Sequence, residues 1–229
     1  MPDIEQRLNL VHARIDKTAT ACRRRPEDIA LLAVSKTRPA EEIRLAAACG
    51  QRAFGENYLQ EALPKIGALA DLGLSWHFIG PIQSNKTQDI AQHFDWVHSV
   101  DRIKIAQRLS QQRPPKLPPL QVCLQVNISG EASKSGFEPA ELTEAASEIQ
   151  SLASIELRGL MAIPRASTER LEQRLAFARL RELLETLQRQ GIELDTLSMG
   201  MSGDLEAAIL EGSTLVRIGT DVFGPRRPQ

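Results

Sequence analysis

Apolar residues along the chain keep two alternating rhythms. From Pro2 to about Arg25, the residues Ile4, Leu8, Val11, Ile15 and Ala19 recur at the spacing of one helix face. The next segment, DIALLAVSK (28–36), is a short and nearly continuous apolar run ending in polar residues, as a strand buried on both sides requires. Pro39 then opens a helix over PAEEIRLAAAC, with Glu41 and Glu42 near the positive end of its dipole and Gly50 as its stop. The unit repeats as RAFGEN (52–57) with a helix over 58–70, SWHFIG (75–80) with 84–93, and DWVHSV (95–100) with 101–112. LQVCLQVNI (120–128) pairs with a helix over 138–152, and IELRGLMAI (155–163) with a long helix over 168–190, whose buried face is expected at Leu171, Leu175, Ala178, Leu183 and Leu187. LDTLSMG (194–200), a short helix around 204–211 and STLVRIG (213–219) complete the series.

Eight strands alternating with helices predict an α/β chain folded as one (β/α)₈ TIM-type barrel over 1–229, with an extra N-terminal helix in the ring position that would follow the eighth strand. An open doubly wound sheet is the alternative. The proline-rich QRPPKLPPL (112–120) reads as a loop within that domain, because the alternation continues on both sides of it.

Composition narrows the function without naming it. A hydrophobic fraction of 42% with 25% charged residues is that of a globular protein, and no apolar run approaches the roughly 20 residues that span a bilayer. A formal net charge of −1 gives no basic footprint for nucleic acid, and Arg23–Arg25 read as a solvated helix end. Cys22, Cys49 and Cys123 are odd in number and widely spaced, and His93 and His98 stand five apart, which argues against a disulfide framework and against a metal site. The N-terminus lacks the apolar stretch of a secretory signal, so the expectation is a cytoplasmic protein.

In barrels of this kind the functional side chains stand at the C-terminal ends of the strands, with phosphate held after strands seven and eight. Those positions here are Lys36, Asn57, His77, Asn127, Met161, SMGMSG (198–203) and RIGT (217–220). Lys36 alone is an ordinary rim lysine, or an amine that desolvation turns into a nucleophile toward an aldehyde. Ser202 and Gly203 precede a short helix whose free N–H groups favour an anion, and Gly219-Thr220 offer a second close backbone approach; as single residues these glycines also suit plain turns. Arg217 lies on an apolar strand between Val216 and Ile218, where a charge requires a partner or a ligand. His77, between Trp76 and Phe78, reads first as a core histidine.

The strings AVSKT (33–37), FGENYLQE (54–61), WHFIGPIQSNK (76–86), SKSGF (133–137), RGLMAI (158–163), LSMGMS (197–202) and VRIGTDVFG (216–224) closely resemble the pyridoxal phosphate homeostasis proteins, the YggS/PROSC family. That resemblance covers nearly the whole chain and implies a barrel similar to the N-terminal domain of alanine racemase. It implies pyridoxal phosphate (PLP) as an imine on Lys36, with Asn57 and His77 lining the ring. Ser202, Gly219 and Thr220, helped by the backbone at Met201, would hold the phosphate, Arg217 would face the pyridine nitrogen, and Met199 and Asn127 would complete the surroundings. A cation beside that nitrogen weakens the cofactor as an electron sink. Racemases with this barrel draw on a second, β-rich domain and a partner's tyrosine; here only FGPRRPQ follows the last strand motif, and Tyr58 is the sole tyrosine. The expected function is therefore a non-enzymatic, monomeric carrier or buffer of PLP that serves apo-enzymes. A PLP-dependent racemase or decarboxylase and an aldolase-like barrel that binds a sugar-phosphate carbonyl on Lys36 are the alternatives. Lys86 and Lys134 are further candidate contacts.

Overall fold

The computed structural model of the chain describes residues 3–131 and 135–225; Lys134 and part of the SKSGF string lie outside them. Helix α1 (Ile4–Ala21) begins at Asp3, whose carboxylate accepts the Gln6 N–H at 2.8 Å while the Gln6 side chain accepts the Asp3 N–H at 3.3 Å. This reciprocal capping satisfies two donors that a helix start leaves open. The helix ends four residues before the expected Arg25, because Arg23 turns into the left-handed region at φ 58°. The three arginines thus form a turn: Arg24 donates to the Ile209 carbonyl at 3.0 Å and Arg25 pairs with Asp28 at 2.6 Å.

Eight strands follow: β1 (Ala30–Val34), β2 (Ala53–Glu56), β3 (Ser75–Phe78), β4 (Trp96–Val100), β5 (Leu120–Gln125), β6 (Ile155–Met161), β7 (Thr196–Ser198) and β8 (Leu215–Ile218). Each pairs in parallel with its neighbour, and β8 returns to β1 through Ala30↔Leu215 to Ala33↔Ile218. That last pairing makes a closed barrel and disposes of the open-sheet alternative. Between the strands run α2 (Ala40–Ala48), α3 (Leu59–Ala68), α4 (Thr87–His93), α5 (Ile103–Gln112), α6 (Leu142–Gln150), α7 (Arg170–Arg189) and α8 (Leu205–Leu210), with α9 (Thr220–Phe223) after β8. Helix α1 packs against α2, α8 and α9, so it fills the expected ring position.

The main core lies between sheet and helices. Phe54 packs on Trp76, and Phe78 meets Phe94 edge-on at 5.3 Å. Of the expected stripe on α7, Leu187 is buried and Leu183 packs partly on the core, whereas Leu171 and Leu175 face outward. The buried residues of α7 are Phe177, Leu180, Leu184 and Leu187, while Leu171 is 70% and Leu175 54% exposed. The register that includes the phenylalanine wins over the one that collects the first leucines.

Candidate functional site

Lys36 stands half-buried immediately after β1, and the chain on both sides of it is pinned. Behind it, the Ser35 hydroxyl donates to Glu56 Oε1 at 2.7 Å, and Lys65 Nζ from α3 donates to the same oxygen at 2.8 Å and to the Ser35 carbonyl at 2.9 Å. Ahead of it, Thr37 sits at φ 63°, a costly conformation for a β-branched residue, and Glu61 Oε2 holds its N–H at 2.8 Å. Glu56 is fully buried; burial raises its pKa, and the Lys65 charge works against that rise.

Around the C-terminal mouth, Asn57, Ile79, Asp101, Gln125, Asn127 and Ile163 border a cleft of about 230 Å³. The side-chain oxygens of Asn57 and Asn127 are buried there without a hydrogen-bond partner, a costly state that a ligand with donor groups would relieve. Gly80 makes this rim possible, since a Cβ there would lie 2.1 Å from the Asn57 carbonyl oxygen. Asn127 also donates to the Glu131 carbonyl at 3.1 Å and to Glu138 Oε1 at 3.0 Å. A larger hollow of about 930 Å³, lined in part by Glu156, Arg158 and Asp195, opens at the opposite end of the strands, away from every predicted site residue.

Inside the barrel, beside Leu32, Cys123 and Met161, runs a set of buried polar side chains. Arg217 Nη1 donates to the carbonyl and hydroxyl of Ser198, and Nη2 donates to the Ala162 carbonyl at 2.9 Å. The Ser198 hydroxyl lies 2.7 Å from His98 Nδ1, His98 Nε2 lies 2.9 Å from His77 Nδ1, and His77 Nε2 lies 3.1 Å from the Ser75 hydroxyl. Arg217 donates to Ser198, and a single neutral tautomer on each of His98 and His77 satisfies the rest of the line to Ser75. Both histidines are then neutral, as burial requires: it lowers His77 to about 3 and His98 well below its usual value. Burial also lowers Arg217, to about 10, which leaves it charged at neutral pH. His77 stacks on Trp96 at 5.4 Å, and both of its ring nitrogens are engaged inside the barrel, by Ser75 and His98.

The turns after β7 and β8 stand side by side. Gly200, at φ 98°, redirects the chain where a Cβ would meet that of Ala208 at 2.6 Å. Exposed Met201 offers its N–H to Asp204 Oδ1 at 2.6 Å, Ser202 is half-buried, and Gly219 leads into α9 with Thr220 exposed at its start. Met199 is fully buried with its side chain in the core between sheet and helices, since Ser198 takes the inward position beside it. The strand ends therefore gather Lys36, Asn57, Asn127, Arg217, Met201, Ser202, Gly219 and Thr220 at one end of the barrel, with Met199 and His77 behind them. Sequence reasoning missed Glu56, Lys65 and His98, and it placed Ser198 in the SMGMSG segment without a role of its own.

Residues 9–227 match the model of the alanine racemase N-terminal domain. A pyridoxal phosphate homeostasis protein from Pseudomonas aeruginosa is 63% identical over 99% of this chain and 97% of its own length, and one from Escherichia coli is 52% identical over 99% and 98%. The chain belongs to the pyridoxal phosphate homeostasis family. Among solved structures, PipY of Synechococcus elongatus with PLP bound superposes with a TM-score of 0.80, at 40% identity over 92% of this chain and 100% of that one. An alanine racemase from Clostridium difficile shares the barrel, with a TM-score of 0.71 at 16% identity over 99% of this chain and 57% of the racemase. For this family member, the racemase likeness is one of fold alone.

Proposed function

We propose that this chain binds PLP reversibly at the C-terminal mouth of its barrel and acts in PLP homeostasis, as a carrier or buffer of the cofactor for apo-enzymes. The observation that carries the reading is the meeting at one mouth of an amine, Lys36, with a fixed cation, Arg217, and two exposed turns, in a fold 40% identical to the PLP-bound PipY. The residues suit the cofactor. Asn57 and Asn127 line the cleft beside the strand ends, and the N–H groups of the Ser202 and Gly219–Thr220 turns suit a phosphate. PLP bound there would supply an aldehyde, and Lys36 is the amine placed to hold it as an imine.

Arg217 supports a carrier over a racemase or decarboxylase. Bonds to Ser198 and Ala162 fix its guanidinium, and it remains a cation with no proton-accepting atom. Placed at the pyridine nitrogen, it disfavours protonation there and so disfavours carbanion chemistry. The three cysteines are free, which suits a reducing cytoplasm, and we read the protein as a monomer. The test is an absorbance spectrum of PLP-loaded protein before and after borohydride, followed by peptide mapping. The expected result is a visible absorption whose trapped adduct maps to Lys36, with no loss of α-deuterium from amino acids above the free-PLP rate. Trapped cofactor retained by Lys36→Ala would overturn the linkage, and deuterium loss catalysed by the protein would overturn the non-enzymatic role.

A further inference from the structure

Helix α1 brings one cation against both turns after β7 and β8. Arg14, two-thirds buried, forms a two-pronged pair with Glu206 of α8, Nε to Oε1 at 2.8 Å and Nη2 to Oε2 at 3.0 Å. The same guanidinium reaches Asp221 Oδ2 of α9 at 2.5 Å and donates to the Ser202 carbonyl at 3.1 Å. Ser202 belongs to the turn after β7, and Asp221 follows Thr220 in the turn after β8. One side chain, 188 and 207 residues away from these partners in sequence, thus ties together the two segments that the proposed site uses for phosphate.

The tie has a geometric and an electrostatic side. In a trans peptide the carbonyl and the following N–H point in opposite senses, so a Ser202 carbonyl held toward Arg14 aims the Gly203 N–H away from α1. A rigid guanidinium fork fixes that direction as a lysine cannot. Glu206 and Asp221 are carboxylates beside turns meant for a group bearing nearly two negative charges. Arg14 compensates them: its hydrogen bonds to Glu206 raise its own pKa and lower that of Glu206, so the pair stays ionised.

We infer that Arg14 is a positioning residue that gives this chain its preference for a phosphorylated aldehyde over the same aldehyde without phosphate. The inference rests on the PLP site proposed above and deepens it. The test is a spectroscopic titration of the full chain with PLP and, separately, with pyridoxal, for the wild type, Arg14→Met, Arg14→Lys and the double variant Arg14→Met/Glu206→Gln. The wild type is expected to prefer PLP. Arg14→Met should weaken PLP on the order of tenfold and leave pyridoxal within about twofold. Arg14→Lys should fall between them, and the double variant should recover part of the loss because one uncompensated carboxylate is gone. Equal weakening of both aldehydes, or no weakening of either, overturns the role of Arg14. A wild type that binds PLP and pyridoxal equally well overturns the phosphate reading of the turns, and the Arg14 inference falls with it.

Discussion

The two faces of the same eight strands are built on opposite principles. Outward, toward the helices, side chains such as Phe54, Trp76, Phe78 and Phe94 pack by shape and area. Inward, Arg217, Ser198, His98, His77 and Ser75 form a single hydrogen-bonded line through the barrel. The apolar layer tolerates loss of a group by leaving a cavity. The polar line cannot be cut without stranding a buried donor or acceptor. Stability is concentrated in the first, and the orientation of Arg217 in the second.

Three measurements sharpen this contrast. The largest effect is expected from Phe177→Ala on α7, a fully buried outer-layer residue whose truncation should cost about 3–5 kcal/mol in denaturant unfolding. PLP affinity under native conditions should hold within about twofold, and a comparable loss of affinity would show that the two faces are not separable. Next comes the acid response of the polar line. His77 is held near 3 in the fold and titrates near 6.5 when unfolded. Below about pH 6.5 the unfolded chain therefore binds the proton that the folded chain refuses, and stability falls as pH drops through that window. The slope is up to about 1.4 kcal/mol per pH unit for this histidine, with His98 adding in the same direction. His77→Gln should flatten the unfolding-versus-pH curve below 6.5, and an unchanged slope would mean the line accommodates a proton. The smallest effect is expected from Leu171→Ser at the exposed start of α7, within about 0.5 kcal/mol by thermal unfolding. A large loss would restore the stripe that the leucines alone suggest.

The eight-strand alternation was legible because every strand carries its own local apolar run, and the strand ends then located Lys36, Asn57, Arg217 and the Ser202 and Gly219 turns without further information. What stayed hidden depends on encounters between distant segments. His98 meets Ser198 across 100 residues, and nothing local marks either as the support of Arg217. Lys65 reads as one lysine among the polar residues of α3 until the fold sets it beneath Ser35 and Glu56. Arg14 sits on the flank of α1 next to Ile15, with no more local distinction than Arg7. The misread stripe on α7 has a different origin. Leucines at helical spacing were available on two faces, and only the extent of the barrel beneath decides which of them is covered.

The pairing of Leu32 with Arg217 and of α1 with α8 and α9 also has a consequence for how the chain is made. On the ribosome the N-terminal part emerges first, and β1 must wait through all six intervening strands before β8 arrives to cover its second edge. Until then that edge presents unpaired backbone groups of the kind that recruit other chains, and contacts so distant in sequence are slow to form. Strand β8 thus both completes the barrel and shields its first strand from aggregation.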